Sequence, residues 1–114
     1  MRIQKLTRIR DQKVFANSCC ITESFWERLC GLMGREALPE GTGLWIEPCN
    51  SIHTFFMKFP IDVVYLDRHG LVLKIHQNVK PWRMDLPVFK ARSVLELPCG
   101  GAFDLKNEDQ LCLS

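Results

Sequence analysis

Short apolar runs of strand length, separated by proline or glycine, fill the sequence from residue 35 onward. β-Branched and aromatic residues are concentrated in these runs, which favours strands over helices. The strands predicted in this part of the chain cover residues 44–47, 52–57, 61–66, 71–76, 88–91, 94–97 and 110–113. Short strands with frequent turns predict a mainly β fold, either an antiparallel β-sandwich or a partly open barrel.

One helix is predicted, and its start carries a capping pattern. Ser24 and Glu27 have the S-x-x-E spacing, in which the hydroxyl and the carboxylate bind free amides at a helix start. Apolar residues then recur at helical spacing, at Phe25, Leu29 and Leu32. Gly34 is a typical C-terminal stop. The pattern therefore predicts one short α-helix from about Ser24 to Met33.

The first ten residues alternate apolar and basic side chains, which is typical of a solvated edge strand. Residues 13–22 have the composition of a second strand that is broken or bulged near Asn17. The net charge of +2 is small, and no aromatic residues are interleaved with the basic ones at the N-terminus. The sequence therefore argues against nucleic acid as a partner.

The length of 114 residues predicts a single domain, residues 1–114, with one core. The sequence contains neither the apolar region of a signal peptide nor a run of 18 apolar residues, so we expect a cytoplasmic protein without a membrane span. The six cysteines are then expected to be thiols. A bond between the adjacent Cys19 and Cys20 would close a strained ring.

Five segments resemble one known family. They are RLCGLMGR at residues 28–35, EGTGL at 40–44, CNSIHTFFMKFPIDVVYLD at 49–67, HGLVL at 69–73 and VLELPCG at 94–100. On these segments the chain resembles the uncharacterised family known as domain of unknown function 192. The resemblance implies a compact, mostly antiparallel β fold with one short helix, and no established biochemical activity. Many similar chains carry an export signal before this domain.

Asp62 is a charged residue inside an otherwise apolar strand, so its carboxylate must be solvated, paired or functional. His53 and Glu96 interrupt two other predicted strands in the same way. If these three side chains converge, they could perform acid/base chemistry or bind a divalent ion. The structural alternative, which the sequence favours, is that Asp62 accepts turn amides or pairs with Arg35 or Arg92, and that Glu96 does the same.

Cys49 and His53 are four residues apart, a spacing compatible with a zinc pair or with a thiol activated by an imidazole. A zinc site would need two further ligands, for which Cys99, His76 and Asp62 are the candidates. The sequence has no C-x-x-C motif, and free cysteines in small domains usually behave as small apolar residues. We therefore predict neither a metal nor a cofactor.

The aromatic and methionine side chains exceed what one face of a small sheet needs. The set comprises Trp26, Trp45, Phe55, Phe56, Met57, Phe59 and Trp82. Strand alternation would put Phe55 and Met57 opposite Phe56, so one side could face a ligand or a partner. Trp82, next to Arg83 in a proline-containing loop, is the best candidate for an exposed ring, with core packing as the alternative.

These observations favour a non-catalytic module that binds a small molecule or a carbohydrate, since motifs of the familiar catalytic classes are absent. The candidate ligand-binding residues are Arg35, His53, Met57, Asp62, Trp82 and Glu96. Two alternatives stay open. One is a hydrolase that uses Asp62 or Glu96 with His53, and the other is a protein-interaction domain that forms a homodimer through its aromatic face.

Overall fold

The computed structural model describes residues 2–114, apart from the side chains of Phe25, Leu29 and Cys30. Its strands are β1 (Arg2–Arg8), β2 (Val14–Ile21), β3 (Thr42–Ile46), β4 (Ile61–Leu66), β5 (Val72–Val79), β6 (Ser93–Pro98) and β7 (Leu111–Leu113). One helix, α1 (Phe25–Cys30), connects β2 to β3. The predicted mainly β fold with one short helix is confirmed.

All of these strands belong to one sheet with the order β5-β4-β6-β3-β2-β1-β7. Neighbours are antiparallel except β2 and β3, which are parallel. The sheet curls until its two ends meet, because the Val72 amide donates to the Asp109 carbonyl at 2.8 Å. The Leu111 amide likewise donates to the Gly70 carbonyl at 2.9 Å. The architecture is therefore the partly open barrel and not a sandwich of two sheets.

β1 is an edge strand over its first residues only, because β7 covers it from Leu6 to Arg8. It pairs with β2 on one side and with β7 on the other. Arg8, the last residue of β1, is 1% exposed. Its guanidinium contacts the carboxylates of Asp11 at 2.7 Å, Asp104 at 2.9 Å and Asp109 at 3.1 Å. This cation belongs to an ion cluster that ties β1 to the chain before β7, which local alternation cannot reveal.

β4 and β6 pair through all six residues of each strand, from Ile61 opposite Pro98 to Leu66 opposite Ser93. Because neighbouring residues on a strand point to opposite faces, this register decides which side chains enter the barrel. The barrel core includes Leu6, Ala16, Ile21, Trp45, Val64, Leu66, Val72, Leu95, Leu97, Ala102, Leu105 and Leu111. A second cluster, the outer core, includes Leu32, Leu38, Leu44, Ile46, Ile52, Met57, Ile61, Val63, Tyr65, Val79 and Val94.

Two of the predicted strands are wrong. Residues 52–57 contain one bridging residue, His53, which pairs with Met84, and a turn at positions 55 and 56. Residues 88–91 form a turn in which the Ala91 amide donates to the Val88 carbonyl. Ile52, Met57, Val88 and Ala91 pack on the outer core, whereas Phe56 and Phe89 are exposed. Apolar composition at strand length therefore did not predict the conformation of either segment.

α1 begins where the capping pattern predicts and ends earlier. Ser24 Oγ accepts the Glu27 amide at 3.1 Å, and the Glu27 carboxylate accepts a backbone amide at 2.6 Å. Gly31, with φ of 50°, ends the helix. The side chains of Phe25 and Leu29, part of the predicted apolar face, lie outside the described residues. No helix in the described part of the chain is long and apolar enough to cross a membrane.

Asp62 lies on the barrel side of β4 and is 1% exposed. Its carboxylate accepts three backbone amides, from Asn78 at 2.9 Å and from Gly100 and Ala102 at 3.0 Å each. These bonds tie β4 to β5 and to the turn after β6. This is the turn-amide role that the sequence offered as the structural alternative for Asp62.

Replacing Asp62 with asparagine should destabilise the fold, because an amide group cannot accept hydrogen bonds at both of its polar atoms. We expect the free energy of unfolding to fall by roughly 2–4 kcal/mol in urea denaturation at neutral pH. The control Glu40→Gln changes an exposed carboxylate and should alter stability by less than about 0.5 kcal/mol. A D62N protein as stable as the control would show that these three bonds are not structurally important.

Candidate functional site

Glu96 is the unusual polar residue on the outer face of the sheet. It lies on β6, is 3% exposed, and its Oε1 atom has no hydrogen-bond partner in the described structure. Burial raises the pKa of this carboxyl group to about 8, and the Arg35 guanidinium lowers it in part. The carboxyl group is therefore mostly protonated at neutral pH. A buried polar atom of this kind costs free energy unless a water or a ligand binds it.

Glu96 lines a small cavity of about 110 Å³. The other residues around the cavity are Arg28, Ile46, Cys49, Ser51, Ile52 and His53. The end of α1 approaches the same place, since a Cβ atom on Gly31 would lie 3.9 Å from Glu96 Oε1. Apolar walls with a few convergent polar groups are typical of a small-molecule site.

His53 and Cys49 line this cavity, and each has a polar side-chain atom bound to the backbone. His53 Nδ1 accepts the Phe55 amide at 3.2 Å, so the ring proton of the neutral imidazole lies on Nε2. Cys49 Sγ donates to the Ser51 carbonyl at 2.9 Å. Burial raises the pKa of the Cys49 thiol, which keeps it protonated and unsuited to nucleophilic attack. Among the described residues, no three His, Cys, Asp or Glu side chains are placed to hold a metal ion.

An aromatic row runs from the cavity wall to the surface and consists of His53, Phe55, Trp82 and Phe56. The His53 and Phe55 rings are stacked with centroids 5.1 Å apart. Trp82 lies 6.0 Å from Phe55 and 4.8 Å from Phe56, again between centroids. Phe56 is 62% exposed and Trp82 is 56% exposed. The outer end of the row therefore offers two apolar ring surfaces to solvent.

The buried Thr54 fixes the turn that carries Trp82. Thr54 Oγ1 donates to the Lys80 carbonyl at 2.7 Å and accepts the Arg83 amide at 2.8 Å. The Trp82 amide donates to the Thr54 carbonyl at 2.9 Å. These bonds hold Trp82 at a φ of 65°. Phe56, its neighbour in the aromatic row, has a φ of 64°. Residues other than glycine rarely adopt such positive φ values. The turn is thus held in place before any ligand arrives.

Three of the predicted site residues lie in or beside this region. His53 and Glu96 line one cavity, and Trp82 lies at the outer end of the aromatic row. Arg35 is exposed and acts on Glu96 through its charge. Two of the three polar interruptions chosen from the sequence, His53 and Glu96, therefore lie at the same cavity.

The structure separates the other two predicted residues from the cavity. Met57 is 4% exposed and packs in the outer core. Asp62 pairs with Leu97 and faces the barrel. Glu96 pairs with Val63, one position further along the two strands, and therefore faces the other side of the sheet. The hypothesis that Asp62 converges with His53 and Glu96 therefore fails, because adjacent positions of a strand pair point to opposite faces.

Sequence reasoning missed Arg28, which lies in the last turn of α1 and lines the cavity. A signal was available, because Arg28 opens the RLCGLMGR segment that carries the family resemblance. Its approach to Glu96 depends on how α1 packs on the sheet. Helical periodicity alone does not define that contact.

These features define a small, curled β-barrel protein with a polar cavity on the outer face of its sheet. A model of the family described as "Uncharacterized ACR", domain of unknown function 192, matches residues 7–112, and the chain belongs to this family. The resemblance found in the sequence is thereby confirmed. A UPF0127 protein of Pyrococcus horikoshii is 37% identical over 93 residues, which are 77% of this chain and 78% of the relative.

Two solved structures have the same fold. A Sinorhizobium meliloti protein described as a "putative transcription regulator" has a TM-score of 0.84 and 18% identity, covering 98% of this chain and 94% of its own. A Novosphingobium aromaticivorans protein of unknown function has a TM-score of 0.77 and 22% identity, covering 96% of this chain and 83% of its own. At these identities the similarity shows the fold alone.

Replacing Glu96 with glutamine should change the pH dependence of stability. The pKa of Glu96 is about 8 in the folded protein against an ordinary value of 4.5. At a pH between 4.5 and about 8, Glu96 has lost its proton in the unfolded chain but keeps it in the folded protein. The free energy of unfolding therefore falls as the pH rises through this range. Relative to wild type, we expect E96Q to gain roughly 2–5 kcal/mol between about pH 5 and about pH 9.

Urea denaturation of both proteins across this pH range measures the effect. Glu40→Gln serves as the control, since the side chain of Glu40 is exposed and its variant should follow wild type. A stability difference between E96Q and wild type that is the same at every pH would contradict the raised pKa.

Proposed function

We propose that this protein is a non-catalytic module that binds a small, uncharged polar ligand in the Glu96 cavity, with a carbohydrate as the chemical class that fits best. The observation that carries the proposal is the Glu96 carboxyl group. It is buried, it lines a cavity, and one of its oxygen atoms has no partner. A bound hydroxyl group would supply the missing hydrogen bond.

The chemistry of the cavity favours a neutral ligand. A protonated carboxyl group offers one O–H donor and one carbonyl acceptor, which matches a hydroxyl group that also donates and accepts. The guanidinium of Arg28, which lines the same cavity, disfavours a cation. A volume of about 110 Å³ accommodates one end of a ligand and not a whole sugar chain.

The aromatic row next to the cavity also favours a carbohydrate ligand. Aromatic rings pack well against the apolar faces of partly polar molecules, and exposed Trp side chains are typical of binding surfaces. Trp82 and Phe56 form such a surface at the end of the row that starts at the cavity. A ligand with one hydroxyl group in the cavity and a ring on the aromatic surface would use both features.

Hydrolysis of a carbohydrate is less well supported than binding. Glycoside hydrolysis ordinarily uses two carboxyl groups on either side of the scissile bond. Glu96 has the raised pKa of a general acid, but it is the one carboxyl group among the residues that line the described cavity. Asp62, the second acid considered from the sequence, is bound by three backbone amides on the other side of the sheet.

A panel of monosaccharides and short oligosaccharides tests the proposal by thermal shift and isothermal titration calorimetry. We expect at least one sugar to raise the melting temperature of the full chain in a concentration-dependent way. Trp82→Ala should weaken its binding by about five- to thirtyfold, the usual range for an important aromatic contact. Phe103→Ala removes a similarly exposed ring elsewhere and should leave affinity unchanged.

Two substitutions of Glu96 examine its role directly. Glu96→Gln keeps one donor and one acceptor and should bind within about threefold of wild type, whereas Glu96→Leu removes both and should weaken binding at least about tenfold. Equal binding by all three proteins would exclude the cavity as the site. If no sugar binds and Trp82→Ala instead abolishes concentration-dependent self-association, the aromatic row is a homodimer surface and the proposal fails.

A further inference from the structure

A second polar group of residues, distinct from the Glu96 cavity, centres on Asp85. The Tyr65 hydroxyl donates to Asp85 Oδ2 at 2.5 Å, and His76 Nδ1 lies 2.9 Å from Asp85 Oδ1. The Tyr65 residue is fully buried, and the Asp85 side chain is 8% exposed. The His76 side chain, in contrast, is 48% exposed. A buried carboxylate therefore orients a histidine that faces solvent.

The Asp85 contact determines which hydrogen-bonding groups His76 can offer. Because Nδ1 faces a carboxylate, Nδ1 carries the proton of the neutral imidazole. The Nε2 atom is then an acceptor, and it becomes a donor only in the imidazolium form. The imidazolium form of His76 can therefore donate a hydrogen bond to an anion through Nε2.

His76 lines an open groove of about 390 Å³ on the surface. The groove is bounded by residues 76–80 and 83–85, which include Lys80 and Arg83. Neither the Lys80 ammonium nor the Arg83 guanidinium has a side-chain partner among the described residues. Thr54 holds the backbone of both residues through Oγ1. Two cations thus lie on a fixed turn beside the oriented histidine.

The charge of the groove is positive on balance. Asp85 is the one carboxylate among the residues that line it, and its oxygen atoms are engaged by Tyr65 and His76. The positive charges of Lys80 and Arg83 therefore have no counterion within the groove. Guanidinium and ammonium groups are donors that proteins use for phosphate and sulfate.

We propose that this groove binds a tetrahedral oxyanion, the phosphate or sulfate group of a small molecule, through Lys80, Arg83 and the imidazolium of His76. The proposal is independent of the carbohydrate site, because it uses different side chains. Binding through His76 Nε2 requires a second proton on the ring, so affinity should rise as the pH falls. The charged group in contact with His76 is Asp85. Lys80 and Arg83 line the same groove, and Lys74 lies two residues away on β5.

Titration of the full chain with sulfate, followed by two-dimensional NMR, tests the proposal because sulfate keeps its charge between pH 6 and pH 8. We expect saturable shifts of the His76, Lys80 and Arg83 signals, with tighter binding at about pH 6 than at about pH 8. Lys80→Gln and Arg83→Gln should each weaken binding about two- to fivefold, as expected for exposed charge pairs. Lys106→Gln, which removes an exposed lysine elsewhere, should have no effect. His76→Gln should remove most of the pH dependence.

A parallel titration with inorganic phosphate and with glycerol phosphate distinguishes two sources of the anion. Tighter binding of the ester assigns the groove to a phosphorylated small molecule, and equal binding assigns it to the inorganic anion. The absence of saturation, or equal weakening by Lys80→Gln and Lys106→Gln, would overturn the site. Unaltered pH dependence in His76→Gln would overturn the part assigned to His76.

Discussion

The register between β4 and β6 is the constraint on which the rest of the structure depends. Six residues of each strand pair without a shift, so Val63 lies opposite Glu96 and Asp62 opposite Leu97. A slip of one residue would move every side chain of a strand to the other face. It would bring Glu96 into the barrel core, where Leu95 and Leu97 now pack. Such a slip is costly because it would place the Glu96 carboxyl group among apolar side chains.

This register gives the protein two buried carboxyl groups in contrasting surroundings. Asp62 has three backbone donors and therefore acts as a fixed structural tie. Glu96 has an oxygen atom without a partner, and burial raises its pKa to about 8. Carboxyl groups with a raised pKa at a cavity are frequent in functional sites, whereas fully hydrogen-bonded ones are frequent in cores. The contrast explains why Glu96, and not Asp62, is the centre of the proposed site.

Local sequence patterns predicted the parts of the fold that local physics controls. Ser24 and Glu27 marked the helix start because a capping box is a contact within four residues. Apolar content at residues 52–57 predicted a strand, which is wrong, since Ile52 and Met57 cover the sheet and the segment does not join it. The closure of the barrel near Arg8 was not predictable, because its partners Asp104 and Asp109 are about a hundred residues away.

The candidate site was predictable only in part for the same reason. His53 and Glu96 could be chosen because each interrupts an apolar run, but alternation within a strand does not reveal whether two faces meet. Asp62 was wrongly grouped with them because its orientation relative to Glu96 depends on the pairing of β4 with β6. The contact between Asp85 and Tyr65 spans 20 residues and gave no local signal.

The most direct test of the central claim is a carbon-13 NMR titration of the Glu96 side-chain carboxyl group, assigned by comparison with Glu96→Gln. We expect this carboxyl group to titrate near pH 8, because it is buried and one of its oxygen atoms has no hydrogen-bond partner. A midpoint near the ordinary value of 4.5 would contradict it. Such a result would mean that the carboxylate is already solvated or paired, and it would remove the support for this cavity as the binding site.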